Sequence, residues 1–417
     1  MGLETNKVKY KESWELVKLS ELCTRISDGV HFKPEYLDEG IPFISVKDIY
    51  NDNINFDNCK YISIDTHKEL IKRCYPEKDD VLITKSGTIG RMALVPEKPE
   101  FSLFVSVALI KNIKQVIDSK FLKFCLENFL NHINVASDIK GGLLKNFHLE
   151  DIRQTIIPKI LISEQHAIVS KIEELFSELD KGIAELKTAQ LQLKTYRQSV
   201  LKSAFEGKLT NENVKDGELP DGWEVVKISD ISRVVRGGSP RPAGDPKYYD
   251  GDIPFLKVAD LTKDNGIYLT TYKYSIKEAG LHKTRQISPN TLLLSNSGAT
   301  LGVPKICMIN ATMNDGVAAF LDLDERSNHY LYYFWVSKTL ELRGINMGAG
   351  QPNLNTDLIK DYKVPYCSFE EQQRIVQEIE SRLSVADKME QSIQESLQKA
   401  EALRQSILKK AFSGELV

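Results

Sequence analysis

The sequence predicts an α+β protein built as a tandem repeat. Two mixed α/β domains are each followed by a long helix, and the two helices pair as an antiparallel coiled coil. Three observations carry this prediction. The phrase "YRQSVLKSAFEGKL" (196–209) returns as "LRQSILKKAFSGEL" (403–416), which places Arg197 and Arg404 207 residues apart. Apolar residues recur every seven positions at Ile172, Leu179, Leu186, Leu193 and Val200, and again at Ile379, Ala386, Ile393, Ala400 and Ile407. A seven-residue seam sustained that far is a coiled-coil pattern. Finally, β-type runs such as "DVLITK", "SVALIKNI" and "TLLLSN" fill the blocks before each helix, punctuated by Gly, Asn, Asp and Pro.

The repeat extends outward from the opening phrase. "IPKILISEQHAIVSKIEE" (157–174) lies over "VPYCSFEEQQRIVQEIES" (364–381) with no gap, and Asn146 falls on Asn353. Upstream the match loosens. "SWELVKLSEL" answers "GWEVVKISDI", "IPFISVKDI" answers "IPFLKVADL", and "DVLITKSGTIG" answers "NTLLLSNSGATLG", with loop insertions between them. The segmentation this predicts is a first domain over 1–160, a helix over 161–210, a second domain over 211–367 and a helix over 368–417. Within the domains, 119–133 and 329–343 read as helices, and the paired Trp14 and Trp223 read as core anchors. Ser163 is the expected N-cap of the first long helix.

Antiparallel pairing sets Ile172 against Ile407, Leu179 against Ala400, Leu186 against Ile393, Leu193 against Ala386 and Val200 against Ile379. Several of these combine a large side chain with a small one, as a filled seam prefers. A helix of this length, roughly 60 Å at 1.5 Å per residue, outruns a domain of about 150 residues. Fixed separation of two domains is therefore an expected purpose of the pair.

Composition excludes several classes. The 417 residues carry a net charge of −3, so bulk positive charge is not the means of any nucleic-acid contact. No run is long and apolar enough to span a bilayer, and "MGLETNKVKYKES" lacks the apolar centre of a signal peptide. Asn6 breaks the myristoylation pattern that the Met-Gly start suggests. Six scattered cysteines without a C-x-x-C fit reduced core thiols in a cytoplasmic protein.

The Pro-x(5)-Glu-Gln-x-x-Ile-Val entries (158–169, 365–376), the R-Q-S-[VI]-L-K-x-A-F exits (197–205, 404–412) and the duplicated order of domain and helix resemble the specificity subunits of type I restriction-modification systems. The resemblance covers essentially the whole chain. It implies two target-recognition domains, each reading half of a bipartite double-stranded DNA site. It also implies helices that act as spacer and as docking surface for two methyltransferase subunits, with motor-nuclease subunits joining the complex. AdoMet, ATP and Mg are then expected on those partners, with no cofactor, metal or catalytic residue on this chain.

The residues agree. No Asn/Asp-Pro-Pro-aromatic tetrad or glycine-rich AdoMet turn occurs; "KSGTIG" is not a P-loop, and "GAGQPN" fails as a dinucleotide turn. Base readers need Arg or Lys for guanine and Asn or Gln for adenine. Loops offering such groups nominate Ser27, Asp28, His31, Lys33, Lys47, Lys85, Ser86, Thr88, Arg91, Lys145 and Asn146 in the first domain. In the second they nominate Arg236, Ser239, Arg241, Lys257, Asn296, Ser297, Gln351 and Asn353. The loops differ between domains, so the two half-sites should differ. The helix exits repeat more residues than a seam requires, which nominates Arg197, Gln198, Lys202 and Phe205, with Arg404, Gln405, Lys409 and Phe412, for partner binding.

Other readings stay open from sequence alone: a specificity module whose methylase and nuclease share one partner chain, or a coiled-coil adaptor for two protein clients. One prediction follows from the seam. Adding a heptad after Gln190 and another after Leu397 lengthens the helix pair by about 10 Å. DNA rises ~3.4 Å per base pair, so the gap between half-sites in a methylation map should grow by about three base pairs; an unchanged gap refutes the ruler.

Overall fold

The computed structural model describes residues 8–132, 147–211, 213–345 and 354–416. The chain resolves into two compact units. The first holds Met1–Leu186 with Gln394–Val417, and the second holds Lys187–Ile393. Each contains one mixed domain, part of the long helix Ile162–Phe205 and part of the long helix Phe369–Ser413.

In the first unit the central sheet is antiparallel, in the order Cys23–Asp28, Val107–Asn112, Val81–Thr84, Met92–Leu94. Its strands read as continuous apolar runs because both faces are covered. Val81, Ile83, Ala108 and Ile110 point into one cluster with the helix Ser119–His132, while Leu82, Val107 and Leu109 point into another. The second unit repeats the plan. Arg233–Arg236, Val317–Leu321, Thr291–Ser295 and Pro304–Cys307 are antiparallel neighbours, and Tyr268–Leu269 adds a parallel edge. Leu292, Leu294, Ala318 and Phe320 face the helix Asn328–Ile345, while Leu293, Val317 and Ala319 face away. The register is the same in both: Val107 lies opposite Thr84, and Val317 opposite Ser295.

Each domain is closed by a two-stranded clasp that joins its start to the strand entering the long helix. Glu15–Lys18 pairs with Ile156–Lys159, and Glu224–Lys227 with Lys363–Tyr366. Trp14 and Trp223 stand just before these clasps, Trp14 buried in the first core and Trp223 packed against the second.

The Glu-Gln of each helix entry has a structural cause. Gln165 is wholly buried; its amide donates to Val116 O and Ile160 O, both at 2.9 Å, and its carbonyl accepts from Asp118 N at 2.7 Å. Gln372, equally buried, donates to Cys367 O at 2.9 Å. Glu164 accepts from the Trp14 indole at 3.0 Å, and Glu371 from Asn211 at 3.3 Å. The first long helix begins one residue before the predicted cap, at Ile162.

Within each unit the two helix stretches run antiparallel. In the first, Ile172 and Ile407 share one core while Asp180 meets Arg404 at 2.8 Å. In the second, Val200 and Ile379 share a core while Arg197 meets Asp387 at 2.6 Å and Glu390 at 2.9 Å. Seam positions near the domains are buried, but Leu179, Leu186, Leu193 and Ile393 stay partly exposed, because two helices alone cannot cover a leucine on every side.

The helix exits correct one sequence expectation. Phe412 is fully buried, its ring 5.6 Å from Phe121 and 6.3 Å from Tyr10. Phe205 is buried edge-on to Tyr330 at 5.2 Å and Phe334 at 5.3 Å. Rings inside a domain core are not a docking surface, so both leave the partner-binding set. Phe205→Ala and Phe412→Ala should each destabilise the fold by about 3–5 kcal/mol through lost burial and a residual cavity. Denaturant unfolding checks this; wild-type midpoints would mean that the exits are not anchored.

Candidate nucleic-acid interface

Asp28, His31 and Lys85 meet at one corner of the first domain, and Arg236 and Ser239 at the matching corner of the second, where the strand after the clasp ends beside the turn leaving the central strand. That turn is closed in the same way in both units, with one residue more in the second. Thr84 Oγ1 donates to Thr88 O at 2.6 Å, and Gly90 N to Thr84 O at 2.9 Å. Likewise Ser295 Oγ donates to Thr300 O at 2.8 Å, and Gly302 N to Ser295 O at 2.7 Å. Lys85 N bonds Ser106 O at 2.8 Å, as Asn296 N bonds Gly316 O at 2.9 Å, so Lys85 and Asn296 occupy equivalent positions. Register likewise makes Asp28, opposite Ala108, equivalent to Arg236, opposite Ala318.

The residue that follows, Gly29 or Gly237, must be glycine for steric reasons. A Cβ on Gly29 would lie 2.0 Å from Leu103 O, and one on Gly237 would lie 2.2 Å from Asn314 O. Neither backbone could pass its neighbour with any side chain present.

The chemistry at the two corners differs. In the first, Asp28 is 2% exposed and surrounded by basic groups. Lys85 Nζ lies 3.1 Å from its Oδ2; His31 Nε2 at 3.1 Å and Arg73 at 2.8 Å share Oδ1. Burial by itself would raise the Asp28 pKa, but hydrogen bonds from His31 and Lys85, with their charges, more than offset this and hold it below the usual carboxylate value. In the second, the acid comes from another strand connection. Asp315 accepts from Ser239 Oγ at 2.6 Å, and its carbonyl accepts from Arg236 Nε at 2.5 Å. The Ser239 hydrogen bond lowers the Asp315 pKa against burial, helped by the charges of Arg236 and Arg241.

Other sequence candidates are sorted by their surroundings. Lys33, Lys47, Thr88 and Arg241 are exposed, with Lys33 Nζ 5.4 Å from the Tyr36 ring centre. Arg91 is exposed and donates to Ile49 O at 3.3 Å. Lys257 lies 3.6 Å over the Tyr274 ring. Ser86 and Ser297 are part-exposed on the turns. Ser27 is part-exposed and donates to the buried Cys74 Sγ at 3.6 Å. Two candidates face inward: Asp28 lies beneath its basic partners, and Asn296 is 0% exposed with neither side-chain amide atom hydrogen-bonded among the described residues. These two are corrected from base readers to interior groups, because a buried side chain presents nothing to a groove. Lys145, Asn146, Gln351 and Asn353 lie outside the described residues.

Sequence reasoning missed Arg73 and Asp315. Neither stands in a repeated motif, and only the chain crossing brings them to the corners. On the helices, Gln198, Lys202, Gln405 and Lys409 are exposed, whereas Arg197 and Arg404 are part-buried in ion pairs to the opposite helix.

A mixed domain built twice, each copy followed by a long helix and carrying a rim of basic loops, defines a tandem-repeat class of protein. The family model described as the type I restriction modification DNA specificity domain matches residues 11–188 and 220–399, and the chain belongs to that family. The EcoBI specificity subunit of Escherichia coli is 25% identical over 97% of this chain and 86% of that protein. The MjaIX specificity subunit of Methanocaldococcus jannaschii is 33% identical over 38% of this chain and 37% of that protein. Among solved structures, a chain from a study of complex assembly and conformational transition of the type I R-M system superposes with TM-score 0.75 at 20% identity, covering 98% of this chain and 100% of that one. The HsdS subunit from Thermoanaerobacter tengcongensis gives 0.60 at 20% identity, covering 98% of each.

Asp28→Asn should destabilise the fold at pH 7 by about 3 kcal/mol, since the largely buried Lys85 loses its counter-charge. The folded pKa of Asp28 lies below the unfolded value near ~4. Its contribution is therefore complete above the unfolded value and disappears as pH falls through the folded one. Denaturant unfolding at neutral and strongly acid pH should show the gap between variant and wild type closing in acid. A gap of equal size at both would mean that charge is not the cause.

Proposed function

We propose that this protein is the non-catalytic specificity subunit of a type I restriction-modification enzyme, reading an asymmetric bipartite DNA site with one domain on each half-site. The observation that carries this reading is the pair of corners: equivalent strand ends carry different exposed groups, His31 and Arg73 around the buried Asp28 in one domain and Arg236 and Arg241 beside Asp315 in the other. A repeat that served packing alone would have no reason to change the charge at equivalent positions. Different polar groups on one scaffold suit the reading of two different base sequences.

The same reading gives the helices a partner role. Two methyltransferase subunits dock on them, and the motor-nuclease subunits join through that complex, bringing AdoMet, ATP and Mg chemistry that this chain lacks. Exposed Gln198 and Lys202, repeated as Gln405 and Lys409, form two equal surfaces that suit two equal partners.

The test replaces the first domain, about 8–160, with that of another family member and maps methylation by the assembled enzyme. The second half-site should persist and the first should change. A soluble, assembled chimera that loses both half-sites would exclude modular reading.

A further inference from the structure

Among the described residues, the corner of the first domain sets several basic side chains against one acid. Asp28 offers a single buried carboxylate to Arg73, Lys85 and His31. The basic groups are not equally available. Lys85 is tucked in, its side chain 12% exposed, while those of Arg73 and His31 are 57% and 58% exposed.

Their arrangement is convergent. Arg73 Nη2 and His31 Nε2 lie 3.2 Å apart, and both approach the same oxygen, Asp28 Oδ1. Nε2 can donate to Asp28 or accept from Arg73, not both. One guanidinium nitrogen is held by the carboxylate, which leaves the rest of the fork facing solvent.

The anchoring is rigid. Arg73 follows the helix Ile64–Ile71, with its N–H bonded to Leu70 O at 3.2 Å, and the next residue, Cys74, is buried and accepts from Ser27. Asp28 is held in the sheet opposite Ala108, and two residues on, Val30 N bonds Leu103 O at 2.9 Å. The exposed Arg25, two residues before Ser27 on the same strand, adds positive charge at Cys74 together with Arg73.

We propose that Arg73 and His31 form a clamp for one backbone phosphate of DNA, oriented by the buried Asp28 carboxylate. This rests on the reading that the domains bind DNA. An anion, rather than a base edge, is the group this geometry suits. Among the described residues one carboxylate faces Arg73, Lys85 and His31, and the free part of the exposed Arg73 fork suits a negatively charged group, whereas a guanine edge carries no charge. The clamp would fix the register of the first domain on the duplex and leave sequence to other loops. The second domain makes its own version around Asp315, with Arg236 and the exposed Arg241.

The experiment uses the full-length chain and a random-sequence duplex, with binding followed by fluorescence anisotropy across a salt series. Arg73→Gln should weaken binding and reduce the slope of log affinity against log salt by about one, the loss of one phosphate contact. Arg73→Lys should keep the slope, because an ammonium still meets a phosphate. Circular dichroism confirms that both variants fold, as expected for a side chain more than half exposed. In the enzyme assembled with its methyltransferase, both variants should leave the methylated first half-site sequence unchanged. A wild-type slope in Arg73→Gln overturns the clamp, and so does a changed base preference at the first half-site in Arg73→Lys, which would make Arg73 a base reader. If the wild-type chain and its assembled complex bind no duplex, the DNA reading fails along with the clamp.

Discussion

Burial of the long-helix exits is the constraint on which the architecture rests. A helix of 44 or 45 residues is too long to be covered by the domain from which it emerges, and its last turns are strongly apolar. In the first unit those turns come from the second helix: Ile407, Leu408, Ala411 and Phe412 complete the core around Phe121 and Trp14. In the second they come from the first helix, with Val200, Leu201, Ala204 and Phe205 set among Tyr330, Phe334 and Trp335. Each domain core is thus incomplete without residues of the long helix that does not follow it in the chain. Reciprocal ion pairs, Arg197 to Asp387 and Arg404 to Asp180, fix the register where the stretches meet. Their energetic contribution is modest, because such pairs are partly exposed. Their value is in register, since a shift of one residue would separate both arginines from their acids.

The polar corners are built on a different principle. The backbone is held by interior forces: both-sided strands, a turn closed by its own hydroxyl, and a glycine where two chains nearly touch. With the scaffold fixed from within, side chains at its rim can change charge without altering the fold. The acid that organises each corner illustrates this freedom, since it is Asp28 at a strand end in one domain and Asp315 in a different connection in the other. Loops placed this way on rigid elements are where binding residues concentrate.

The sequence by itself determined the repeat, the two long helices, their antiparallel pairing and the family, because helix periodicity and repeated motifs are local and survive without coordinates. The Glu-Gln entries and the Arg and Phe exits were legible as important, but their purpose was not. Repetition marks a shared constraint without saying whether packing or a partner imposes it, and burial decided for packing at Gln165, Gln372, Phe205 and Phe412. For the site, sequence nominated loops whose residues the fold brings to the corners, but it could not tell which of them turn inward. Asp28 and Asn296 have the chemistry of readers but face inward, and whether a polar side chain faces in or out depends on the chain packed against it. Arg73 could not be found at all, because it stands 45 residues from Asp28 and is joined to it only by the path of the chain. Local pattern fixes which elements form; the tertiary structure alone decides which charges meet.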